Sequence, residues 1–307
     1  MKISTATSGM VDMTSLQEGL KIIADAGFEA VDFSMFTHAW NGDLFAKYSD
    51  AEFADYFRGI KKYIKDLGME TCQTHAPFPL KVYNPAQDPG MLSCAIRSIY
   101  ATAHMDSPYV VFHPAIHPAH LVDGDTAEGL QSNVEFFGAM ADALRDTGVT
   151  VCIENVWHFL PGSDTFVRAT CSSAESLCEL IDTLNDRYGP HYAACLDTGH
   201  ALMLGDNCAS MVKSLGSRLK VLHVHDNDGT RDMHQAPGKG KINWREFCEA
   251  LRETGYSGTF NFEADWFWAD YRPADTYSKE VLCASCSMVY AIGRSLTSIV
   301  DGTFVHR

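Results

Sequence analysis

The stretch VLHVHDNDGTRDMHQAPGKG, residues 221–240, carries the pattern on which the fold prediction depends. Apolar residues alternate here with His223 and His225, and this alternation is typical of a buried strand. The strand leads directly into a loop that is rich in aspartate, asparagine and histidine. Successive side chains of a strand point to opposite faces, so the two histidines share one face, about 6.6 Å apart. We therefore expect His225 at the exit of the strand and His223 one layer deeper.

The same order of strand, polar loop and amphipathic helix recurs along the chain. Apolar strands are predicted at residues 2–7, 30–33, 70–76, 109–114, 150–156, 192–198, 221–225 and 258–264. Helices are predicted between them, with N-terminal capping signals at Thr14, Ser49, Ser172 and Asn243. Eight alternations without a linker favour an α/β fold, a single (β/α)8 TIM barrel domain over residues 1–307, rather than a doubly wound sheet.

Composition narrows the classes of function. The 307 residues are 46% hydrophobic, and no window approaches the roughly 18 uninterrupted apolar residues of a membrane span. We therefore expect a cytoplasmic protein without a membrane partner. The formal net charge of −15 repels phosphate backbones at long range, so no nucleic-acid partner is expected.

The ten cysteines are scattered along the chain. Three of them, Cys72, Cys152 and Cys195, fall within predicted strands, where cysteine behaves as a small apolar residue. The pair Cys283 and Cys286 has CxxC spacing, but it lies in a helical pattern and is interpreted as structural.

Residues that bind metals or transfer protons stand at the ends of six consecutive predicted strands. They are His75, His113, Glu154, Asp197, His225 and Glu263. Catalytic groups of a (β/α)8 barrel lie at this carboxyl end of the strands. Carboxylates crowded on one rim repel each other unless a cation neutralises them. The sequence therefore predicts a metal site at the barrel mouth.

The predicted ligand set is mixed. Glu154, Asp197, His225 and Glu263 offer oxygen and nitrogen atoms without thiolates, which suits Mn²⁺, Zn²⁺, Mg²⁺ or Co²⁺. A substrate above the metal would lie between two glutamates, as removal of a proton on one face and its return on another require. Glu154 and Glu263 are therefore the candidate catalytic pair.

Four short motifs carry a family resemblance. DTGH at 197–200, HVHDND at 223–228, PGKGKINW at 237–244 and FEAD at 262–265 resemble the xylose-isomerase-like barrel superfamily of sugar and sugar-phosphate isomerases and epimerases. The resemblance implies Mn²⁺ held by the four predicted ligands, with Glu154 and Glu263 as the acid and base. It also implies that His200 and Arg231 bind substrate oxygens. Residues 154–160, ENVWHFL, lack the further glutamate of the ketose 3-epimerases.

A second branch of the superfamily, the type IV apurinic endonucleases, has three zinc ions held by nine residues. This chain is similar at each position: His75, His113, Glu154, Asp197, His200, His225, Asp232, His234 and Glu263. The loops at the predicted mouth contribute mainly Asp, Trp and Phe rather than the basic residues that DNA binding requires. We therefore interpret His75, His113, His200, Asp232 and His234 as ligands of a second metal or, for the three histidines 75, 113 and 200, as substrate contacts.

Two further features suggest substrate contacts. Lys239 and the glycines of the PGKG turn could receive a phosphate or hydroxyl group, although the glycines also fit a tight turn before the Asn243 cap. Aromatic residues in the loops could form an apolar wall against a sugar ring, and rim packing is the alternative. They are Trp40, Trp157, Trp266, Phe267 and Trp268.

The sequence thus favours a metal-dependent isomerase or epimerase of a small carbohydrate-like keto compound, acting through an enediolate. A lyase reaction on a keto sugar, a multi-zinc phosphodiesterase and a catalytically silent subunit of a larger assembly are the alternatives. Nothing in the sequence decides whether the barrel forms a homo-oligomer.

Overall fold

Parallel strands form a barrel in the computed structural model, which describes residues 1–36, 45, 47–78, 89–115, 126–160, 162, 165–272 and 276–304. The barrel strands are β1 (Ile3–Ala6), β2 (Ala30–Ser34), β3 (Glu70–His75), β4 (Tyr109–Phe112), β5 (Thr150–Glu154), β8 (Tyr192–Asp197), β9 (Leu219–His223) and β10 (Phe260–Phe262). A separate antiparallel hairpin pairs β6 (His158–Phe159) with β7 (Phe166–Val167). The hairpin follows β5 and was not predicted.

The strand order closes the barrel. Each strand pairs with the next one, and β10 pairs with β1. β9 and β10 meet at a bridge between Val224 and Phe262. There the Val224 N–H donates to Asn261 O at 2.8 Å, and the Glu263 N–H donates to Val224 O at 3.0 Å. The prediction of a (β/α)8 TIM barrel is therefore confirmed.

Helices surround the barrel. They are α1 (Ser8–Met13), α2 (Leu16–Ala26), α3 (Asp50–Asp66), α4 (Pro89–His104), α5 (Ala127–Gly138), α6 (Ala141–Thr147), α7 (Ala174–Tyr188), α8 (Thr198–Met203), α9 (Cys208–Leu215), α10 (Trp244–Thr254), α11 (Asp265–Ala269) and α12 (Lys279–Val300). The capping box at Ser49 and the Asn243 cap are confirmed.

Two predicted caps are displaced by one residue. Ser15 caps α2 and Ser173 caps α7, where Thr14 and Ser172 were predicted. Thr14 instead donates its hydroxyl to Met10 O, and the Ser172 hydroxyl donates to Val156 O at 2.6 Å. Both neighbours carry a hydroxyl, so the sequence alone does not distinguish which one has the extended backbone that a cap requires.

The strand β9 ends at His223, two residues before the predicted end. Beyond it the backbone of Asp226 pairs with that of Gln235, with N–H to O distances of 2.8 and 3.0 Å. This pairing turns the chain away from the barrel, so His225 lies in the segment between the strand and the loop. The position is the rim that the sequence predicted for it.

The barrel interior is divided between apolar and polar side chains. Val111, Cys152, Ala193, Cys195 and Val221 form one small buried cluster inside the ring of strands. The polar part contains Ser4, Asp32, Gln73, His223 and Asn261, all with 0% relative exposure. Buried polar groups require hydrogen-bond partners, so this second part is a network rather than a packed apolar core.

The cysteines of the predicted strands and of the CASC segment form no disulfide bond. Cys152 and Cys195 are buried as predicted, whereas Cys72 is half-buried. Cys286 is buried in α12, and burial raises the pKa of its thiol. Cys283 is partly buried and free as well, and the structural role of the CASC segment remains a prediction.

The helix α12 has the length and mean hydropathy of a membrane span, the one such helix in the part of the chain that the structure describes. It packs against β1, α2 and α10, and 39% of its apolar window is buried inside the protein. Core helices of globular proteins have the same composition, so this helix is weak evidence for a membrane span.

Candidate metal and active site

The strand ends bring the predicted ionisable residues together at the carboxyl end of the barrel. Glu154 and Asp197 end β5 and β8, and both are buried, with 1% and 0% relative exposure. Glu263 follows β10 directly and is 8% exposed. The partners of these carboxylates in the described ion pairs are histidines, so their negative charge is neutralised only when imidazoles carry protons or a cation is bound.

The ligand atoms form several groups that share members. Within each group, all atoms lie within 4.8 Å of one another. The groups are His75, His113 and Glu154; Glu154, Asp197, His223 and Glu263; His200, His225, Asp232 and His234; and two smaller combinations around His223. Every predicted metal-site residue therefore lies in at least one group.

The two histidines of the HVHDND motif, His223 and His225, have different surroundings. His223 Nδ1 lies 3.1 Å from Glu154 Oε1 and 3.3 Å from Glu263 Oε2, and its Nε2 lies 3.0 Å from Asp32 Oδ2. His225 Nε2 lies 3.0 Å from both carboxylate oxygens of Asp197. The structure thus joins Glu154, Asp197 and Glu263 through His223, while His225 connects Asp197 to the group around Asp232.

Backbone carbonyls fix the tautomers of three histidines. The Nδ1–H groups of His75, His200 and His234 donate to Ala76 O, Asn155 O and Glu263 O at 2.7, 2.9 and 3.1 Å. A carbonyl oxygen can only accept, so each Nδ1 carries the proton and each Nε2 keeps its lone pair when the ring is neutral. The Nε2 atoms face Glu154 in one case and Asp232 in the other two. Metal-binding histidines have this arrangement.

Several buried atoms of these groups fit a cation. His225 Nδ1 has no hydrogen-bond partner within the described ranges. Glu154 Oε2, His223 Nδ1 and Asp232 Oδ1 have ion-pair contacts there but no contact with the geometry of a hydrogen bond. Unsatisfied buried polar atoms are costly, by about 1–3 kcal/mol each. Oxygen and imidazole nitrogen atoms are ligands of Mn²⁺ and Zn²⁺, so the donor set fits a divalent metal ion.

The pKa values of the two candidate catalytic glutamates move in opposite directions. Burial raises the pKa of Glu154, but the charges on His223 and His113 outweigh burial and hold that pKa well below its usual value. Burial raises the pKa of Glu263, and the histidines around it do not offset this effect. Without a metal ion, Glu154 is the ionised member of the pair and Glu263 retains a proton more readily.

Local backbone structure positions the ligands. The Asn155 side chain bonds both backbone groups of Asp197, at 2.8 and 2.9 Å. The Asp197 side chain accepts the His200 N–H at 2.6 Å, as the N-cap of α8. Gly199 leaves space for the His225 ring, because a Cβ atom at position 199 would lie 1.9 Å from His225 Cε1. The DTGH motif is therefore explained by packing around the site.

The backbone of His234 is strained. Its φ of 39° lies in the left-handed region, which only a few per cent of non-glycine residues adopt, Asn, Asp and His most often. The His234 ring stacks on His225, with ring centroids 4.1 Å apart and an interplanar angle of 5°. Such strain persists where surrounding contacts enforce it, and it is common at functional sites.

The PGKG turn is held by a buried carboxylate. Asp226 Oδ2 accepts the Gly238 N–H and the Trp244 Nε1–H, both at 2.9 Å. A Cβ atom at Gly240 would lie 2.0 Å from Asn227 O. These contacts explain the glycines and Trp244 of PGKGKINW through turn geometry. Lys239 is exposed in this turn, so its role as a substrate contact remains a prediction.

The aromatic residues predicted in the loops differ in burial and in position. Phe267 and Trp268 are buried core residues, with 2% and 0% relative exposure. Trp157, Trp266 and Arg231 line a cavity at the mouth, beside Asp232 and His234. Trp40 lies outside the described residues.

Sequence reasoning missed Asp32. Its Oδ2 accepts from Gln73 Nε2 at 2.9 Å and Asn261 Nδ2 at 3.2 Å, and it contacts His223 from below the glutamates. An aspartate in the otherwise apolar strand AVDFS was the signal that could have identified it. The assignment of His223 to a deeper layer was correct in position, but its contact with both glutamates was not foreseen.

The sequence comparisons identify relatives. A family model described as xylose isomerase-like TIM barrel matches residues 20–283. An uncharacterized protein of Methanocaldococcus jannaschii is 30% identical over 198 residues, which cover 62% of this chain and 62% of that protein. The match thus spans less than two thirds of that relative. A D-psicose 3-epimerase of Agrobacterium fabrum is 25% identical over 252 residues, covering 78% of this chain and 76% of the epimerase.

Solved structures share the fold. A D-tagatose 3-epimerase-like protein superposes with a TM-score of 0.73 at 21% identity, covering 98% of this chain and 99% of that one. The IolI protein, solved with a bound zinc atom, superposes with a TM-score of 0.72 at 18% identity and covers all of both chains. At these identities the likeness shows the fold.

Proposed function

Because the chain belongs to the xylose isomerase-like TIM barrel family, we propose that it is a divalent-metal-dependent isomerase or epimerase of a small sugar, sugar phosphate or related keto compound. The names of the relatives, D-psicose 3-epimerase among them, support this class of enzyme. The zinc atom in the IolI structure supports a metal site in this fold. We propose that residues 1–307 act as one barrel domain and that Mn²⁺ is the preferred ion.

One observation carries the proposal. Three buried carboxylates, Glu154, Asp197 and Glu263, converge with His223 within 4.8 Å, and His225 contacts Asp197 from the rim. Such a group of charges is stable when a cation lies among them. We propose Glu154, Asp197, His225 and Glu263 as the ligands, with His223 holding the two glutamates from below through its contact with Asp32.

The glutamates supply the proton transfers. Glu154 is the ionised partner and takes the proton from the carbon beside the substrate carbonyl, which leaves an enediolate. Glu263, which contacts the same His223 Nδ1 atom as Glu154, returns a proton to the enediolate. A bound divalent cation would polarise the carbonyl and an adjacent hydroxyl group. His75, His113, His200 and Arg231 are proposed to bind substrate oxygens.

The same proton abstraction could expel a group β to the carbonyl, which would make the enzyme a lyase. Within the part of the chain that the structure describes, no feature favours this outcome over isomerisation. Analysis of the products separates the two reactions, since elimination releases a second compound and isomerisation does not.

Isotope exchange tests the proposed function. The Mn²⁺-loaded protein is incubated with D-psicose, D-tagatose and D-fructose in D₂O, and deuterium at the exchanged carbon is measured by NMR. We expect the wild type to exchange the proton for deuterium. The exchange rate should fall about a hundredfold or more in Glu154→Gln, since that is the usual contribution of a general base. Glu179→Gln, an exposed helix residue, is the matched control. Equal exchange by Glu154→Gln and wild type would contradict the assigned role.

A multi-metal phosphodiesterase is the second candidate, and the arrangement of the ligand groups favours it. Two further ligand groups lie beside the group of Glu154, Asp197, His223 and Glu263, so the site has donor atoms for more than one ion. One consists of His75, His113 and Glu154, and the other of His200, His225, Asp232 and His234. The net charge of −15 opposes a nucleic-acid substrate. Metal analysis and an assay on DNA that contains an abasic site test this candidate. Three zinc equivalents with strand cleavage would support it over the isomerase.

A further inference from the structure

A cavity of about 570 Å³ lies beside the proposed active site. Its apolar side is formed by Trp157, Phe159, Phe166 and Trp266, and its polar side includes Asp232 and His234. The two polar residues also belong to the ligand group with His200 and His225. The cavity is therefore continuous with the site rather than a separate surface groove.

The hairpin β6–β7 builds the aromatic side. The Trp157 ring meets Phe159 and Phe166 edge-on, with centroids 4.9 and 4.7 Å away. Phe159 and Phe166 lie 4.9 Å apart at 30°. The backbone bond from Leu160 N–H to Thr165 O, at 3.0 Å, holds the hairpin. These contacts pack the three aromatic rings of this segment against one another.

This side of the cavity remains open to solvent. Trp266 is 62% exposed and Phe159 is 47% exposed, although both are large apolar side chains. Trp157 Nε1 is buried and has no hydrogen-bond acceptor in the described part of the chain. Exposed aromatic rings grouped beside a polar site are characteristic of ligand-binding grooves.

The size and chemistry indicate more than a free monosaccharide. Cavities of about 300–1,000 Å³ enclose drug-sized ligands, so this one has room for a substituent in addition to a sugar at the ligand groups. Aromatic rings pack best against a flat ring, in offset or edge-on geometry. An exposed guanidinium, that of Arg231, also lines the cavity and can stack on such a ring.

We propose that this cavity is a subsite for an aromatic substituent, so that the substrate class is a sugar that carries an aryl group. This proposal rests on the proposed function, because it places the sugar part at the metal-ligand groups. An alkyl group and a second sugar unit are the competing occupants. They would gain less from stacking on the rings of Trp157 and Trp266.

Calorimetry with matched glucosides tests the subsite. Phenyl β-D-glucopyranoside is titrated into the Mn²⁺-loaded protein and compared with methyl β-D-glucopyranoside, cyclohexyl β-D-glucopyranoside and cellobiose. All four share the same sugar, so the ratio of their affinities reports on the substituent. We expect the phenyl glucoside to bind at least about tenfold more tightly than the methyl glucoside, and more tightly than the other two.

Variants test whether the preference for the phenyl glucoside arises in this cavity. Trp266→Ala and Phe159→Ala should each reduce the ratio of phenyl to methyl affinity severalfold. Leu160→Ala, on the same hairpin and 38% exposed but outside the cavity lining, should leave this ratio unchanged. Circular dichroism checks that each variant is folded. If Trp266→Ala does not fold, Phe159→Ala still tests the subsite.

The outcomes are separable from those of the isotope-exchange experiment. Equal affinities for phenyl and methyl glucosides, no binding of either, or equally tight binding of the cyclohexyl glucoside or cellobiose would overturn the aryl subsite even if ketoses exchange deuterium. A clear phenyl preference that Trp266→Ala removes would support the subsite even if no ketose is turned over. In that case only the proposed reaction would be lost.

Discussion

His223 places its Nδ1 atom 3.1 Å from Glu154 Oε1, while its Nε2 atom lies 3.0 Å from Asp32 Oδ2. A single imidazole thus connects a carboxylate inside the barrel to the candidate base at the mouth. The same Nδ1 atom is 3.3 Å from Glu263 Oε2, so both candidate catalytic glutamates depend on its position. His225 is the proposed metal ligand and His223 the residue that positions the glutamates, so their variants should differ.

The first prediction concerns these two histidines. His225→Gln should lower the bound Mn²⁺, because His225 Nε2 lies 3.0 Å from both oxygens of Asp197 at the rim. His223→Gln should retain most of the metal but lose activity, because the two glutamates lose the group that orients them. Elemental analysis of the purified variants measures the metal. Retention of metal by His225→Gln together with its loss in His223→Gln would assign the ligand to His223 instead.

The second prediction concerns Gly199. In Gly199→Ala, the new Cβ would lie 1.9 Å from His225 Cε1, so the imidazole must move away from Asp197. We expect weaker metal binding, by about tenfold or more, with the barrel still folded. Gly59→Ala is the control, since nothing lies within 4 Å of a Cβ there and alanine favours its helix. Competition with a chelator measures the affinity, and an unchanged value in Gly199→Ala would contradict the proposed position of His225.

The third prediction concerns the turn held by Asp226. Asp226→Ala removes the acceptor of the Gly238 N–H and the Trp244 Nε1–H, which leaves donors unpaired around a buried site. We expect a loss of about 2–4 kcal/mol in the free energy of unfolding. Asp228→Ala, at the more exposed neighbouring aspartate, should cost much less. Urea unfolding provides the values, and equal losses in the two variants would argue against the anchoring role.

Lys239 offers a separate test of the same turn. Its side chain is exposed and is not needed for the geometry of the turn, so Lys239→Ala should leave the free energy of unfolding unchanged. If Lys239 binds a phosphate or hydroxyl group of the substrate, this variant should raise KM severalfold at similar kcat. Steady-state kinetics with the identified substrate decides, and an unchanged KM would leave the turn with a structural role alone.

The fifth prediction concerns pH and His158. Burial lowers the pKa of His158 from 6.5 to about 4, with smaller effects from His113 and His200. The unfolded chain takes up a proton near pH 6.5 and the folded chain does not, so stability should fall as the pH decreases from 6.5 towards 4. This contribution is fully present above pH 6.5 and amounts to about 3 kcal/mol.

The difference between wild type and His158→Gln isolates that contribution, because other titrating groups are common to both proteins. Unfolding midpoints of the two proteins, measured in steps between pH 4 and 7, should move apart towards the acid end, because only the wild type loses stability through His158 as the pH falls. Parallel curves over this range would show that His158 does not carry the predicted proton linkage.

The sequence was informative where a pattern depends on local geometry. Strand alternation and strand-end residues such as Glu154 and Asp197 identified the barrel and its mouth, because parallel strands of one sheet must end on the same side. The capping predictions at Thr14 and Ser172 each missed by one residue. Adjacent hydroxyl residues have the same capacity to cap, and only the backbone conformation selects between them.

What the sequence by itself determined was therefore the order of elements, the family motifs and the set of residues at the rim. Only the tertiary structure decided which atoms meet. Asp32 and His223 are 191 residues apart and pair because the barrel closes on itself. The cavity between the unpredicted hairpin and Trp266 likewise unites segments that are distant in sequence. Contacts of this kind depend on strand register and side-chain packing across the whole barrel, which no local pattern encodes.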